Sequence, residues 1–216
     1  MRSMFITFEG IEGCGKSTQA RRLFDRLRRL NIPLAMTREP GGTRIGNDIR
    51  QILLNSRNQD LSPFAELLLY EADRVQHVEE VIRPALEQNK WVVCDRFSDA
   101  TTVYQGYARG LDMDLIQFLN ETACLGIRPD ITFLLDCPVE VGLKRALKRD
   151  RSSPEMGQDR FEREQLGFHE AVRAGYLMIA EKECDRVVVV DGSCGEDQLE
   201  ALIFDHIRPL LSNTDM

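Results

Sequence analysis

The stretch from Phe5 to Ala20, FITFEGIEGCGKSTQA, decides the fold. A short apolar run breaks into glycines and then opens a helical pattern, and its middle fits G-x-x-x-x-G-K-[ST] at every fixed position, from Gly10 to Ser17. Glycines let several backbone N–H groups converge on phosphate oxygens, and the N-terminus of the helix that follows adds partial positive charge. In such a cradle Lys16 would reach the β and γ phosphates and the Ser17 hydroxyl would ligate Mg²⁺. Glu12 is the oddity, an acid in a loop made for anions.

Working outward, apolar runs at Phe5–Phe8, Leu34–Met36, Trp91–Cys94, Ile131–Leu135 and Val187–Val190 read as five strands. Between the first two, Ala20, Leu23, Phe24, Leu27 and Leu30 follow the spacing of an amphipathic helix. Further helical patterns lie around Ile49–Leu53 and over Leu67–Leu86, Leu115–Leu125, Val141–Leu147, Phe161–Ala180 and Leu199–Leu211. Almost wholly apolar strands separated by helices imply a parallel sheet covered on both faces, in one domain over 1–216. The stretch Asp150 to Asp159, DRSSPEMGQD, resists regular structure and is flanked by Lys144, Arg145, Lys148, Arg149, Arg160 and Arg163. It is either a plain surface loop or a mobile basic flap.

Composition bounds the function. No run approaches the roughly 18 apolar residues that span a membrane, and the N-terminus leaves no room for a signal peptide, so a soluble, cytoplasmic protein is expected. The six cysteines are scattered without a C-x-x-C pair, which indicates neither a disulfide framework nor a zinc site. A net charge of −7 argues against broad nucleic-acid binding while leaving room for a local basic pocket.

The strand Trp91-Val92-Val93-Cys94 ends in Asp95, where such proteins place a carboxylate that helps organise Mg²⁺. Arg96 follows at the carboxyl edge of the sheet and offers a bidentate grip on a second phosphate. A G-protein would need D-x-x-G after its second acid and an N-K-x-D guanine reader, and neither string is present. Transfer between two bound phosphorylated compounds fits best.

Several further segments, in order along nearly the whole chain, match one family. FEGIEGCGKSTQ, TREPGGT (Thr37–Thr43), LLLYEADRVQH (Leu67–His77), DRFSDATTVYQG (Asp95–Gly106), RPD (Arg128–Asp130) and DRFE (Asp159–Glu162) together make the chain resemble thymidylate kinase of the bacterial type. The resemblance implies a P-loop nucleoside monophosphate kinase fold with a five-stranded parallel sheet, a lid at about 145–162, and a homodimer. It also implies transfer of the γ-phosphoryl of Mg-ATP to dTMP.

Under that resemblance Gly10, Ile11, Glu12, Gly13, Cys14, Gly15, Lys16, Ser17 and Thr18 hold ATP, and Ser17 and Asp95 serve the Mg²⁺. Lys16 and Arg96 act on the transferring and accepting phosphates. Arg38 and Arg50 line the acceptor side with Arg96. Tyr70, where many relatives carry Phe, stacks on thymine; Arg74 faces its carbonyl edge; Thr101 hydrogen-bonds the base. Tyr104 crowds the sugar 2′ position, with Gln105 beside it, and Glu12 faces the sugar 3′-hydroxyl. Because Gly13 follows Glu12, the loop has no arginine there, and the lid is expected to supply the cation: Arg149 first, with Arg145, Arg151 and Arg160 behind it.

Overall fold

The computed structural model describes residues 2–150 and 159–212, the side chains of Arg149, Asp150 and Ser212 excepted. In chain order it contains β1 (Phe5–Glu9), α1 (Lys16–Arg29), β2 (Leu34–Arg38), α2 (Arg44–Leu54) and α3 (Pro63–His77). There follow α4 (Arg83–Glu87), β3 (Trp91–Asp95), α5 (Ser98–Thr101), α6 (Met113–Cys124), β4 (Ile131–Asp136) and α7 (Val139–Asp150). The last elements are α8 (Leu166–Lys182), β5 (Val187–Asp191) and α9 (Glu196–Ser212).

The strands form one parallel sheet in the order β2-β3-β1-β4-β5, so β1 sits at the centre with β3 and β4 on either side. Alternation along the strands sends side chains to opposite faces. Ile6, Phe8, Trp91 and Val93 pack with Ala20, Leu23 and Leu27 of α1, whereas Phe5, Val92 and Cys94 pack with Ala85 of α4 and with Val78 and Ile82, which lie between α3 and α4. A sheet buried on both faces explains why its strands read as continuous apolar runs. The few polar residues within it pair locally: the Thr7 and Thr132 hydroxyls lie 2.7 Å apart across β1 and β4. Because the chain leaves β1 toward β2 on one side and reaches β4 on the other, the crevice at the carboxyl ends of these strands is where a ligand of such a sheet is received.

Helix starts follow their caps. Thr43, Ser62 and Asp112 accept from Gly46, Ala65 and Leu115 N–H respectively, which starts α2, α3 and α6 earlier than their apolar periodicity alone suggests. The long helical pattern over Leu67–Leu86 is interrupted by a π-helical segment at Val78–Ile82. A second π-helical segment, Thr102–Ala108, continues α5 and was not foreseen from the sequence. Wider turns of this kind are often found at functional sites, and this one carries Tyr104 and Gln105. The pattern expected as one helix over Phe161–Ala180 starts only at Leu166, after a turn that packs Phe161 inward.

Candidate active site

After Glu9 the chain turns through Gly10, Gly13 and Gly15 at φ of 137°, 70° and 103°, a region glycine enters without steric cost. A methyl on Gly13 would lie 2.0 Å from the Gly142 carbonyl oxygen, so the loop packs backbone to backbone against α7. Gly15 precedes α1 without a side-chain cap, and the first turn of the helix holds no acid. The leading N–H groups are thereby left for an anion to accept from. Lys16 Nζ donates to the Ile11 carbonyl at 2.7 Å and lies 3.6 Å from Cys14 Sγ, which folds the ammonium over the loop. Ser17 and Thr18 are exposed on its outer side.

The Ser17 hydroxyl donates to Asp95 Oδ2, so a hydroxyl and a carboxylate converge from α1 and the end of β3. These are hard oxygen donors of the kind Mg²⁺ takes beside phosphate and water oxygens, and the pair fits that ion. Among the described residues no group of three or more His, Cys, Asp or Glu is placed to hold a metal by itself.

Arg96 is the centre of the cleft. Its backbone sits at φ 71°, unusual for a side-chain-bearing residue, and its N–H donates to the Phe8 carbonyl at 3.0 Å. The guanidinium donates to Tyr176 Oη (2.9 Å), Tyr104 Oη (3.0 Å) and Glu12 Oε1 (3.1 Å). Tyr104 also donates to Glu12 Oε1. The loop acid is thus tied to the wall that Arg96 and Tyr104 form across the crevice. Burial alone would raise the Glu12 carboxyl, but His169, Arg96, Lys16 and Tyr104 around it hold it well below the usual carboxylate range. Glu9 behaves oppositely. Buried under Arg96, it accepts from Phe97 N–H and Tyr176 O–H at 2.7 Å each, and burial pushes it up to about 7 despite the arginine.

Tyr70 and Arg74, four residues apart on α3, line one cleft of about 360 Å³ with Arg38, Arg50, Thr101, Tyr104 and Gln105. The cleft is continuous with Glu12, Gly13, Lys16, Ser17, Thr18, Asp95 and Arg96. Arg74 is fully buried, and each of its guanidinium nitrogens meets a protein acceptor: Nε to Glu39 at 2.8 Å, one amino nitrogen to Glu71 and Asn120 at 2.7 and 2.6 Å, the other to Thr101 Oγ1 at 2.7 Å. The sequence expectation sets Arg74 facing the carbonyl edge of the base; in the structure its guanidinium lines the cleft while these acceptors hold it. Since the Thr101 oxygen accepts from Arg74, the Thr101 hydroxyl keeps its own proton to donate. Gln105 is likewise committed, its amide donating to Glu66 at 2.7 Å. Arg50 donates to the Pro40 carbonyl at 3.1 Å and Arg38 is exposed at the rim. Burial raises the Tyr70 phenol above its usual value, so it stays neutral.

Behind this wall, Glu39 also lies 3.3 Å from His77 Nδ1, and Asp73, pushed up to about 6 by burial, accepts the Gly41 N–H. These acids fix the loop after β2, which turns at a cis Glu39–Pro40 peptide.

The expected lid arginines separate. Arg145 donates to the Gly192 carbonyl at 2.9 Å and holds the turn after β5. Arg160 is buried, pairs with Glu66 and donates to the Leu53 carbonyl, so it anchors the turn before α8. The donors of both are taken here by carbonyls and a carboxylate. The Arg149 side chain and all of Arg151 lie outside the described residues.

Glu9, His169 and Tyr176 were not singled out in the sequence, yet all three are buried in the cluster around Arg96 and Glu12. The available signal was that His169 and Tyr176 stand seven residues apart, on one face of a helix whose other inward positions are apolar.

A model of the thymidylate kinase family matches residues 8–203. Thymidylate kinase of Geotalea daltonii is 54% identical over 200 residues, covering 92% of this chain and 94% of that protein. Thymidylate kinase of Desulfosudis oleivorans is 57% identical over 189 residues, covering 87% and 88%. The crystal structure of thymidylate kinase from Ehrlichia chaffeensis superimposes with a TM-score of 0.76 at 34% identity, over 96% of this chain and 99% of that one.

Proposed function

The chain belongs to the thymidylate kinase family, whose reaction is the phosphorylation of dTMP, and we propose that the cleft between the glycine loop and α3 carries that reaction. The γ-phosphoryl group of ATP passes to a 5′-phosphate oxygen of dTMP, giving ADP and dTDP. The acceptor phosphate has a second pKa of about 6 and is largely a dianion at neutral pH, so no strong general base is required. What the protein must do is bring two anions together and hold them in line.

The donor phosphates would lie on the N–H groups of the loop and of α1, with Lys16 against the transferring group. Ser17 and Asp95 would hold Mg²⁺, which when bound offsets charge on the donor phosphates. Arg96 would take the acceptor phosphate, Tyr70 would stack on the base, and Thr101 would donate to it. Tyr104 would stand against the sugar, with Arg38 and Arg50 at the rim. Arg149 would supply the lid cation, with Arg151 behind it and with Arg145 and Arg160 bonded to the protein.

The observation that carries this reading is that Glu12, a residue of the donor loop, is bonded to Arg96 and Tyr104 of the acceptor wall, so one crevice serves both nucleotides. An ATP-dependent assay across dTMP, dUMP, AMP, GMP and CMP tests it. Turnover is expected on dTMP; no turnover on dTMP with clear turnover of another monophosphate overturns the substrate.

A homodimer is part of the reading. Ile45 and Ile52 of α2, Phe64 and Leu68 of α3 and Phe118 of α6 are exposed apolar residues on helices that pack in the order α2-α3-α6. A monomeric mass in sedimentation would remove it. The cytoplasm is the setting that ATP and dTMP imply, and among the described residues no helix is long and apolar enough to cross a membrane.

A further inference from the structure

His169 lies in the first part of α8, just after the chain returns from the lid, and it is fully buried. Its Nδ1 stands 3.3 Å from Glu12 Oε2. The pair is not aligned as a hydrogen bond: Glu12 Oε2 and both ring nitrogens are buried without a hydrogen-bond partner. Orphaned buried polar atoms are rare in folded proteins, and two that face each other at 3.3 Å call for an explanation.

The carboxylate offers only acceptors, so an Nδ1 lone pair facing Oε2 would be repelled; the ring proton belongs on Nδ1. A small shift of either group then closes a charge-assisted bond. The other oxygen, Oε1, is already held by Arg96 and Tyr104. With His169 on Oε2, donors from β3's end, from the π-helical segment and from α8 fix the carboxylate on both oxygens.

We propose that His169 is a positioning residue for Glu12, donating its Nδ1–H to Oε2 so that the carboxylate presents its remaining lone pairs to the acceptor sugar hydroxyl. This rests on the reading that Glu12 faces the 3′-hydroxyl of dTMP. It adds a residue of the helix after the lid to the recognition of the acceptor.

The test is steady-state kinetics of His169→Leu, His169→Asn and His169→Gln on dTMP and on the same acceptor lacking its 3′-hydroxyl. Asn sets an amide N–H where Nδ1 was, and Gln sets it near Nε2. Loss of one charged hydrogen bond predicts that Leu and Gln lower kcat/KM for dTMP about tenfold, that Asn stays within about threefold of wild type, and that all three change the 3′-deoxy acceptor by less than about twofold. KM for ATP should not move. Equal losses on both acceptors, or no loss on dTMP, overturn the proposal. If Leu lowers the melting temperature too far to assay, the Asn-against-Gln contrast decides alone, and equal behaviour of the two on dTMP overturns it. Failure of the underlying reading is separable, because wild type would then discriminate little between dTMP and its 3′-deoxy form.

Discussion

On the proposed function the cleft has a donor half and an acceptor half, and the two are built from different materials. The donor half is one continuous loop, Gly10 to Thr18, and its working groups are backbone N–H groups, one ammonium and one hydroxyl. The acceptor half gathers side chains from β1, β2's end, α3, β3's end, the π-helical segment, α6 and α8, and most of its charges are already matched to one another. A phosphate can be held by any converging set of donors, so a short loop suffices. Recognising a base and sugar needs single donors and acceptors fixed in place, and burying them requires that every charge behind them be paired.

The largest effect that this contrast predicts is on the acceptor half. Arg74→Ala leaves Glu39 and Glu71 buried without their cation, and unfolding free energy should drop by about 3 to 5 kcal/mol in denaturant titration. An unchanged midpoint would show that the wall does not depend on its internal charges. On the donor half, Lys16→Ala should lower kcat by about a hundredfold to a thousandfold, while stability changes by less than about 1 kcal/mol. A comparable loss of stability there would erase the distinction between the halves.

Glu9 gives a pH signature. Its carboxyl titrates near 4.5 when exposed and is pushed up to about 7 in the fold. Between those values the folded protein keeps a proton that the unfolded chain releases, so stability falls as pH rises. Wild type should lose about 2 kcal/mol between pH 5 and pH 7 from this group, and Glu9→Gln should remove that part of the slope. Smaller effects separate the basic residues near the lid. Arg149→Ala should lower kcat about tenfold, and Arg145→Ala, whose guanidinium holds the turn at Gly192, less than about threefold. A tenfold loss at Arg145 would return it to the phosphate.

The same contrast explains what the sequence made legible. The donor loop could be read because all of its parts are contiguous and three of them must be glycine, as the positive φ angles at Gly10, Gly13 and Gly15 require. The parallel sheet followed from apolar strands alternating with helices, and β1, β3 and β4 lie within a residue or so of the expected runs. The acceptor half was named through family resemblance, and its inner connections stayed hidden. That Arg74 is enclosed by Glu39, Glu71, Asn120 and Thr101 depends on four segments meeting, and no local pattern encodes such a meeting. Arg160 looked like an exposed lid cation because its neighbours in sequence are polar, whereas its partners Glu66 and Leu53 are about a hundred residues away. His169 and Tyr176 were masked by an otherwise ordinary helix.

On the proposed reading Glu12 is where the two halves join, a residue of the glycine loop that serves the acceptor. Steady-state kinetics of Glu12→Gln tests this most directly, because the change keeps the size of the side chain and removes its charge. KM for dTMP should rise about tenfold while KM for ATP stays within about twofold. A rise confined to ATP, with dTMP unaffected, would contradict it and return Glu12 to the phosphate cradle alone.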